Sequence, residues 1–340
     1  MTSRKPAVLV TGANGEIGHS LVRRLAAGGA NVVALDVREI DAACKPLCSA
    51  TQVGDILDFG MLQRLGVEFE FTSVFHLAAL LSTRGEFQPE LAHRVNVEGT
   101  LNLLRLAVES ASSSGKAVTF LFPSSIAAYG IADPKQRAAA GRVREDEHLA
   151  PQTMYGCNKL YGEHLGRYYT HHYRRLAADQ QHPVDFRSIR FPGLISADTV
   201  PSGGTSDYAP EMLHAAARGE PYACYVREDI RLPFMAMPDA VDAIMALATA
   251  PRASLSTHVY NIGAFAPSAG EFAALVREFF PKAELSFSPD VLRQAIVESW
   301  PADVDDSRAR RDWGFKPAYD LRRTFSEYLV PGVRRRYGIA

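Results

Sequence analysis

The run Ala7-Val8-Leu9-Val10, leading into Thr11-Gly12-Ala13-Asn14-Gly15-Glu16-Ile17-Gly18, constrains this chain more than any other stretch. Four apolar residues, two of them β-branched, suit a strand buried on both faces. The glycines that follow let the backbone turn tightly and a ligand or neighbouring strand approach closely. A helical pattern through Leu21, Val22 and Leu25 comes next and Gly28-Gly29 stops it. Asn31 to Asp36 then reads as a second strand. Together these segments make one strand–helix–strand unit, the start of a parallel sheet.

The alternation continues. Thr51–Val53 reads as a strand, Ile56 to Leu65 as a helix and Ser73 to Leu77 as a buried strand. A helix begins near Gln88, with Val97, Leu101, Leu104 and Val108 at spacings that share one face. Ala117 to Phe122, Val184 to Ile189 and Val259 to Ile262 are further strands, and a long helix runs from Tyr155 toward Tyr173. This order predicts an α/β class: a Rossmann-like, doubly wound parallel sheet with helices on both faces. Beyond Pro192, Gly, Pro and Ser cluster and the alternation weakens. Residues 1–191 with about 236–264 are therefore expected to form the main domain. Residues from about 192 to 235, with 265–340, are expected to form a smaller C-terminal lobe; a chain of 340 residues has room for both. The polar stretches 132–148 and 177–182 are expected to be exposed loops or insertions.

Composition narrows the function classes. With a formal net charge of -1 there is no electrostatic case for nucleic acid or an anionic membrane as partner. Cys44, Cys48, Cys157 and Cys224 are too few for a disulfide framework and lack the second ligand pair of a zinc site, so no metal is expected. No run is long enough for a membrane span and no leader-type segment opens the chain, so the expected location is cytoplasmic.

Gly12, Gly15 and Gly18 lie between a predicted strand and a predicted helix. A backbone free of side chains there can approach a pyrophosphate, whose charge the helix N-terminus meets. Asp36, ending the second strand, is placed to accept hydrogen bonds from an adenosine ribose diol and to repel a 2′-phosphate. NAD is therefore the expected cofactor, with Arg38 able to soften the preference over NADP. Asn14, Glu16, Ile17 and Val37 complete that end, and Asp55 and Ile56 fall where an adenine edge sits. Leu77, Ala78 and Ala79 are small or apolar where the dinucleotide passes the backbone. His76 reads as a structural histidine that satisfies a local hydrogen bond.

Two further segments carry the chemistry. Ser125 follows the fifth strand at the carboxyl end of the sheet, where ligands bind in such folds. Tyr155 and Lys159 sit one helical turn apart. An ammonium beside a phenol favours the phenolate, a base for an alcohol proton.

In this order, TGANGEIG, Asp36, HLAA, PSSIAAYG, YGCNK and RFPGLIS resemble the extended short-chain dehydrogenase/reductase, or NAD-dependent epimerase/dehydratase, superfamily. The resemblance covers essentially the whole chain. It implies a catalytic set of Ser125, Tyr155 and Lys159, a supporting Asn96, and Phe191, Gly193, Leu194 and Ile195 beside the nicotinamide. GLISADTVPSGGTSDYA, the segment around Arg231 and VESWPADVDDSRARRDWGF look like the short-chain type of L-threonine 3-dehydrogenase. That likeness implies Ser82, Ser124, Tyr155, Thr205, Ser206 and Trp300 around an amino-acid substrate, with Gly203 to Tyr208 lining the pocket and Trp300 closing over it. It also implies a homodimer through the helices near 88–110 and 155–173. The expected reaction is oxidation of the β-hydroxyl of L-threonine to 2-amino-3-oxobutyrate. The alternatives are a nucleotide-sugar 4-epimerase or dehydratase, for which Arg231 would hold the diphosphate, and a dehydrogenase of another small hydroxy acid or polyol. A non-catalytic NAD-binding module is a further class; it would be expected to have lost Tyr155 or Lys159, and both are present.

Overall fold

In the computed structural model of the chain the described residues are 4–177, 183–201 and 204–339. The first unit of chain is β1 (Lys5–Thr11), α1 (Glu16–Ala27) and β2 (Val32–Asp36). Every residue of β2 is buried, which is why it reads as an apolar run that stops at Asp36. Next come β3 (Ala50–Val53), α2 (Phe59–Glu68) and β4 (Phe69–His76). Helix α2 begins later than its apolar pattern suggests because Asp58 caps it, accepting from Met61 N at 2.9 Å. Helices α3 (Ser82–Phe87), α4 (Pro89–His93) and α5 (Gly99–Ser114) follow, with a wide π turn at Arg94–Glu98 carrying Asn96 inward.

The second half of the sheet and its surroundings comprise β5 (Val118–Ser125), α6 (Pro134–Ala140), β6 (Arg142–Val143), α7 (Met154–His171), β7 (Val184–Phe191) and β8 (Gly193–Ile195). Then come α8 (Tyr208–Arg218), β9 (Tyr222–Cys224), β10 (Phe234–Ala236), α9 (Met237–Thr249), β11 (Val259–Asn261), α10 (Ala269–Phe279), β12 (Leu285–Phe287), α11 (Val291–Glu298) and β13 (Asp303–Val304). Seven strands form the central sheet in the order β11-β7-β5-β4-β1-β2-β3. β1 pairs in parallel with β2 and β4, and so do β2 with β3 and β4 with β5. The connection reverses direction between β1 and β4, so the crevice outside their carboxyl ends is the natural ligand position. The Rossmann-like α/β expectation is met.

Two compact units emerge: residues 1–124, 157–189 and 244–259, and residues 125–156, 190–243 and 260–340. Each has its own apolar core. In the first, Leu9, Val33, Phe71, Phe120 and Phe186 pack between sheet and helices. In the second, Tyr208, Met212, Phe234, Phe272 and Phe325 are the centre. These units overlap the domains expected from sequence without coinciding with them; the difference lies mainly in residues 125–156, which join the second unit.

The stretch 132–148, expected as an exposed loop or insertion, is largely exposed but carries a helix and a short strand. Asp133 caps α6, accepting from Lys135 N and Gln136 N, and Pro134 sits at its first position. β6 pairs with β13, and Val143 is fully buried. Tyr129 donates to Asn261 at 2.7 Å, Asn261 donates to the Val143 carbonyl, and the Arg190 guanidinium donates to the Glu145 carbonyl. Only Val143 and Glu145 of this stretch are buried and join that network; most of its other residues are exposed. Of the other polar stretch, residues 178–182 lie outside those described. On α5, Leu103, Leu104 and Ala107 face the core, which leaves Leu101 exposed at the margin of the stripe that the spacing suggested. Among the described residues no helix is long and apolar enough to cross a membrane.

Candidate active site

The turn after β1 is built for close approach. Gly12 has φ +66°, and a Cβ on it would lie 2.7 Å from Ala78 N. No L side chain fits there without moving backbone. Gly15 caps α1 with no side chain of its own, which leaves the first-turn N–H groups, near Glu16 and Ile17, for an anion. Gly18 is buried against the Gly12–Ala13 backbone. Asp36 is 8% exposed, and its two oxygens accept from Asn14 N at 3.0 Å and Arg38 N at 3.1 Å. Asn14 in turn donates to Glu39 O and accepts from Asp41 N, tying the loop after β2 to the loop after β1. A fixed carboxylate therefore stands at the end of β2, with Val37 exposed beside it and the Arg38 Nε 3.9 Å away. Asp55 accepts from Leu57 N, and Ile56 is buried under Gly99. Leu77, Ala78 and Ala79 are half-buried just past β4. A cradle that a Cβ would fill, an uncapped helix start and an oriented acid are what a dinucleotide requires.

His76 has a single consistent set of partners. Thr100 donates to the Asn96 carbonyl at 2.6 Å, so it accepts from His76 Nε2 at 2.9 Å. His76 Nδ1 then accepts from Thr11 at 3.0 Å, and Thr11 accepts from Ala78 N. Burial and the Lys159 charge drive the imidazole pKa down to about 3, so the ring stays neutral. It is a structural histidine, as its position at the end of a buried strand suggested. Asn96, 4% exposed, accepts from Leu80 N at 2.8 Å and donates to Leu80 O at 3.0 Å and to Asn158. It clamps the loop after β4 to helix α7.

Lys159 is 5% exposed. Its ammonium donates to Pro123 O at 2.6 Å and lies 4.7 Å above the Phe122 ring. Burial lowers its pKa to about 8, and the Glu163 carboxylate works against that fall. Glu163, also buried, accepts from Ser124 Oγ at 2.5 Å. Ser124 was expected to face substrate; its hydroxyl is instead held by Glu163, and the residue is 2% exposed.

The turn after Ser125 and the first turn of α7 meet through backbone. The Ser125 Oγ accepts from Ala127 N at 3.1 Å, leaving its O–H to donate elsewhere. A Cβ on Gly156 would run into the Ala127 carbonyl, so glycine lets the first turn of α7 press against the turn after Ser125. Thr153 supports that turn by accepting from Gly156 N at 3.1 Å. Tyr155 packs on the second core, and burial pushes its phenol above the usual value of 10. Four residues on along the same helix is Lys159.

In the second unit Phe191 and Ile195 are buried, and Gly193 and Leu194 lie in β8, which pairs with β10. Thr205 is 6% exposed, Ser206 is half-buried, and Tyr225 donates to the carbonyls of Gly204 and Thr205. Gly203 is outside the described residues. In the first unit Ser82 opens α3. Trp300 is 4% exposed within the second core, and its carbonyl accepts from Arg137 Nε at 2.8 Å. Arg231 is committed to Glu271 at 2.5 Å and to Ala266 O at 2.9 Å.

A model of the NAD dependent epimerase/dehydratase family matches residues 8–263. The chain belongs to that family. Its cofactor is NAD, which the cradle at Gly12 and the acid at Asp36 fit. Over 321 residues the chain is 36% identical to the mitochondrial L-threonine 3-dehydrogenase of Bos taurus, covering 92% of this chain and 79% of that one. The GalE-like L-threonine dehydrogenase from Cupriavidus necator, in its holo form, superposes with TM-score 0.84 at 37% identity, over 96% of this chain and 99% of that one. The L-threonine dehydrogenase from Clostridium difficile gives 0.86 at 32% identity, over 99% and 100%. Sequence reading missed Glu163, although its spacing of four from Lys159 was a signal. It also passed over Gly156, Asn158 and Thr100, whose roles depend on contacts distant in sequence.

Proposed function

We propose that the protein is an NAD-dependent L-threonine 3-dehydrogenase, oxidising the β-hydroxyl of L-threonine to the ketone of 2-amino-3-oxobutyrate. The observation that carries this reading is Tyr155 on the first turn of α7, pressed by Gly156 against the Ser125 turn and followed one turn later by Lys159. Tyr155 takes the hydroxyl proton and Ser125 donates to the substrate oxygen. A buried phenol resists ionisation, so it needs a cation; Lys159 supplies one. Bound NAD would supply the hydride acceptor for the β-carbon hydrogen. Ser82, Thr205, Ser206 and Trp300 are the residues proposed to meet the amino-acid substrate. Arg231, the residue that favoured a diphosphate ligand, is engaged by Glu271 and Ala266, which weakens the nucleotide-sugar reading.

The chain is further proposed to be a cytoplasmic homodimer, with Leu101, Tyr161 and Tyr168 exposed on α5 and α7 as the self-association surface.

The test follows NADH absorbance with purified protein, NAD and a panel of L-threonine, L-serine, small hydroxy acids and UDP-sugars. Threonine-dependent reduction is expected, and turnover of a UDP-sugar alone would replace this reading by the epimerase one. Tyr155→Phe should abolish turnover and keep NAD binding; normal turnover in that variant refutes the base assignment.

A further inference from the structure

Two consecutive residues of β5 are held by two residues one turn apart on α7. Pro123 presents its carbonyl to the Lys159 ammonium at 2.6 Å, and Ser124 gives its hydroxyl to the Glu163 carboxylate at 2.5 Å. All four atoms lie in the sheet–helix interior: Ser124, Lys159 and Glu163 are each 5% exposed or less. A lysine so deeply buried loses its proton readily unless an opposite charge lies close by. Titratable groups near the ammonium come from α7 and β4. Glu163 comes from its own helix, His76 faces it from β4, and Tyr155 is one turn before it. His76 is held neutral by its threonine partners and contributes no charge. Glu163 is therefore the anion in this set.

We propose that Glu163, oriented by the Ser124 hydroxyl, is a positioning residue that acts through Lys159, serving as the buried counter-ion that keeps Lys159 an ammonium and so keeps Tyr155 ready to act as base. This deepens the dehydrogenase reading and rests on its assignment of Tyr155 and Lys159. Physical support comes from the direction of the two influences on Lys159: burial lowers its pKa to about 8 and Glu163 raises it. With the charge removed, the burial penalty meets only uncharged partners such as the Pro123 carbonyl and the Phe122 ring. Ser124 explains why the carboxylate stays in place, since the serine O–H fixes one of its oxygens.

The test uses the full chain loaded with NAD. The titration of the Lys159 amine is followed by NMR of labelled lysine side chains, with Lys159→Arg for assignment. Glu163→Gln keeps shape and removes charge, so its Lys159 midpoint should fall by about one pH unit or more. From a midpoint of about 8 in the parent, the ammonium fraction at pH 8 then drops about fivefold. The alkaline limb of kcat/KM for threonine should move down by the same interval. Glu163→Asp keeps the charge and should restore most of the midpoint. An unmoved midpoint in Glu163→Gln, or an equal fall in Glu163→Asp, overturns the proposal. If Glu163→Gln does not fold, Ser124→Ala carries the same readout, with a smaller fall expected and no fall refuting. Absence of threonine turnover in the parent protein sinks the substrate reading alone, because the amine titration needs no substrate.

Discussion

Asn96 donates to Asn158 at 3.3 Å while its own amide closes both backbone groups of Leu80. One buried side chain thus joins the loop after β4, the wide turn before α5 and the helix that carries Tyr155 and Lys159. Truncating it strands the N–H and the carbonyl of half-buried Leu80, each worth about 1–3 kcal/mol where water is kept out. Asn96→Ala should destabilise by about 2–4 kcal/mol in denaturant unfolding and lower kcat more than it raises KM. Asn96→Asp keeps the acceptor for Leu80 N but sets an oxygen against Leu80 O and Asn158 Oδ1, so it should recover none of that loss. A variant as stable as the parent would argue against the clamp.

Gly12→Ala tests the cradle. At φ +66° an alanine is strained by about 1–2 kcal/mol, and its Cβ would sit 2.7 Å from Ala78 N. NAD affinity measured by calorimetry should fall at least about tenfold, because the turn must shift where the pyrophosphate passes. An unchanged Kd would mean that the dinucleotide binds elsewhere.

Asp36 is proposed to set the choice of cofactor. Its carboxylate is oriented by Asn14 N and Arg38 N, so it can accept from a ribose diol and repel a 2′-phosphate. Asp36→Ala should reduce kcat/KM with NAD by about 10- to 100-fold, the cost of about 1.5–3 kcal/mol for hydrogen bonds to a charged group. The NAD to NADP ratio should fall with it, Arg38 being left beside the phosphate. A preserved ratio refutes the role.

Stability should depend on pH through His76. Its pKa is about 3 in the folded chain and near 6.5 when exposed, so between these values only the unfolded chain takes the proton. The contribution is intact above pH 6.5 and is lost progressively as pH falls toward 3. His76→Gln should flatten the stability profile between pH 6 and 4 by up to about 1.4 kcal/mol per pH unit. Parallel profiles for the two proteins would exclude this residue as the cause.

The amino-acid sequence by itself determined the class of fold and the cofactor, and it supplied the residues proposed to react. Those features are local: an apolar run, glycines where a side chain cannot be tolerated, an acid at a strand end, and Tyr155 and Lys159 one helical turn apart. Periodicity and spacing report them because each depends on neighbours a few residues away. The tertiary structure decided what surrounds those groups. Ser124 turned to Glu163, Arg231 to Glu271, and the polar segment after Gly130 became a helix and a short strand. A hydroxyl, a guanidinium or a run of charges carries no record in sequence of its distant partner, and burial is what makes that partner obligatory. Lys159 shows both sides: its spacing from Tyr155 is written in the chain, but the Pro123 carbonyl and the Glu163 carboxylate beside it exist only once strand and helix have packed.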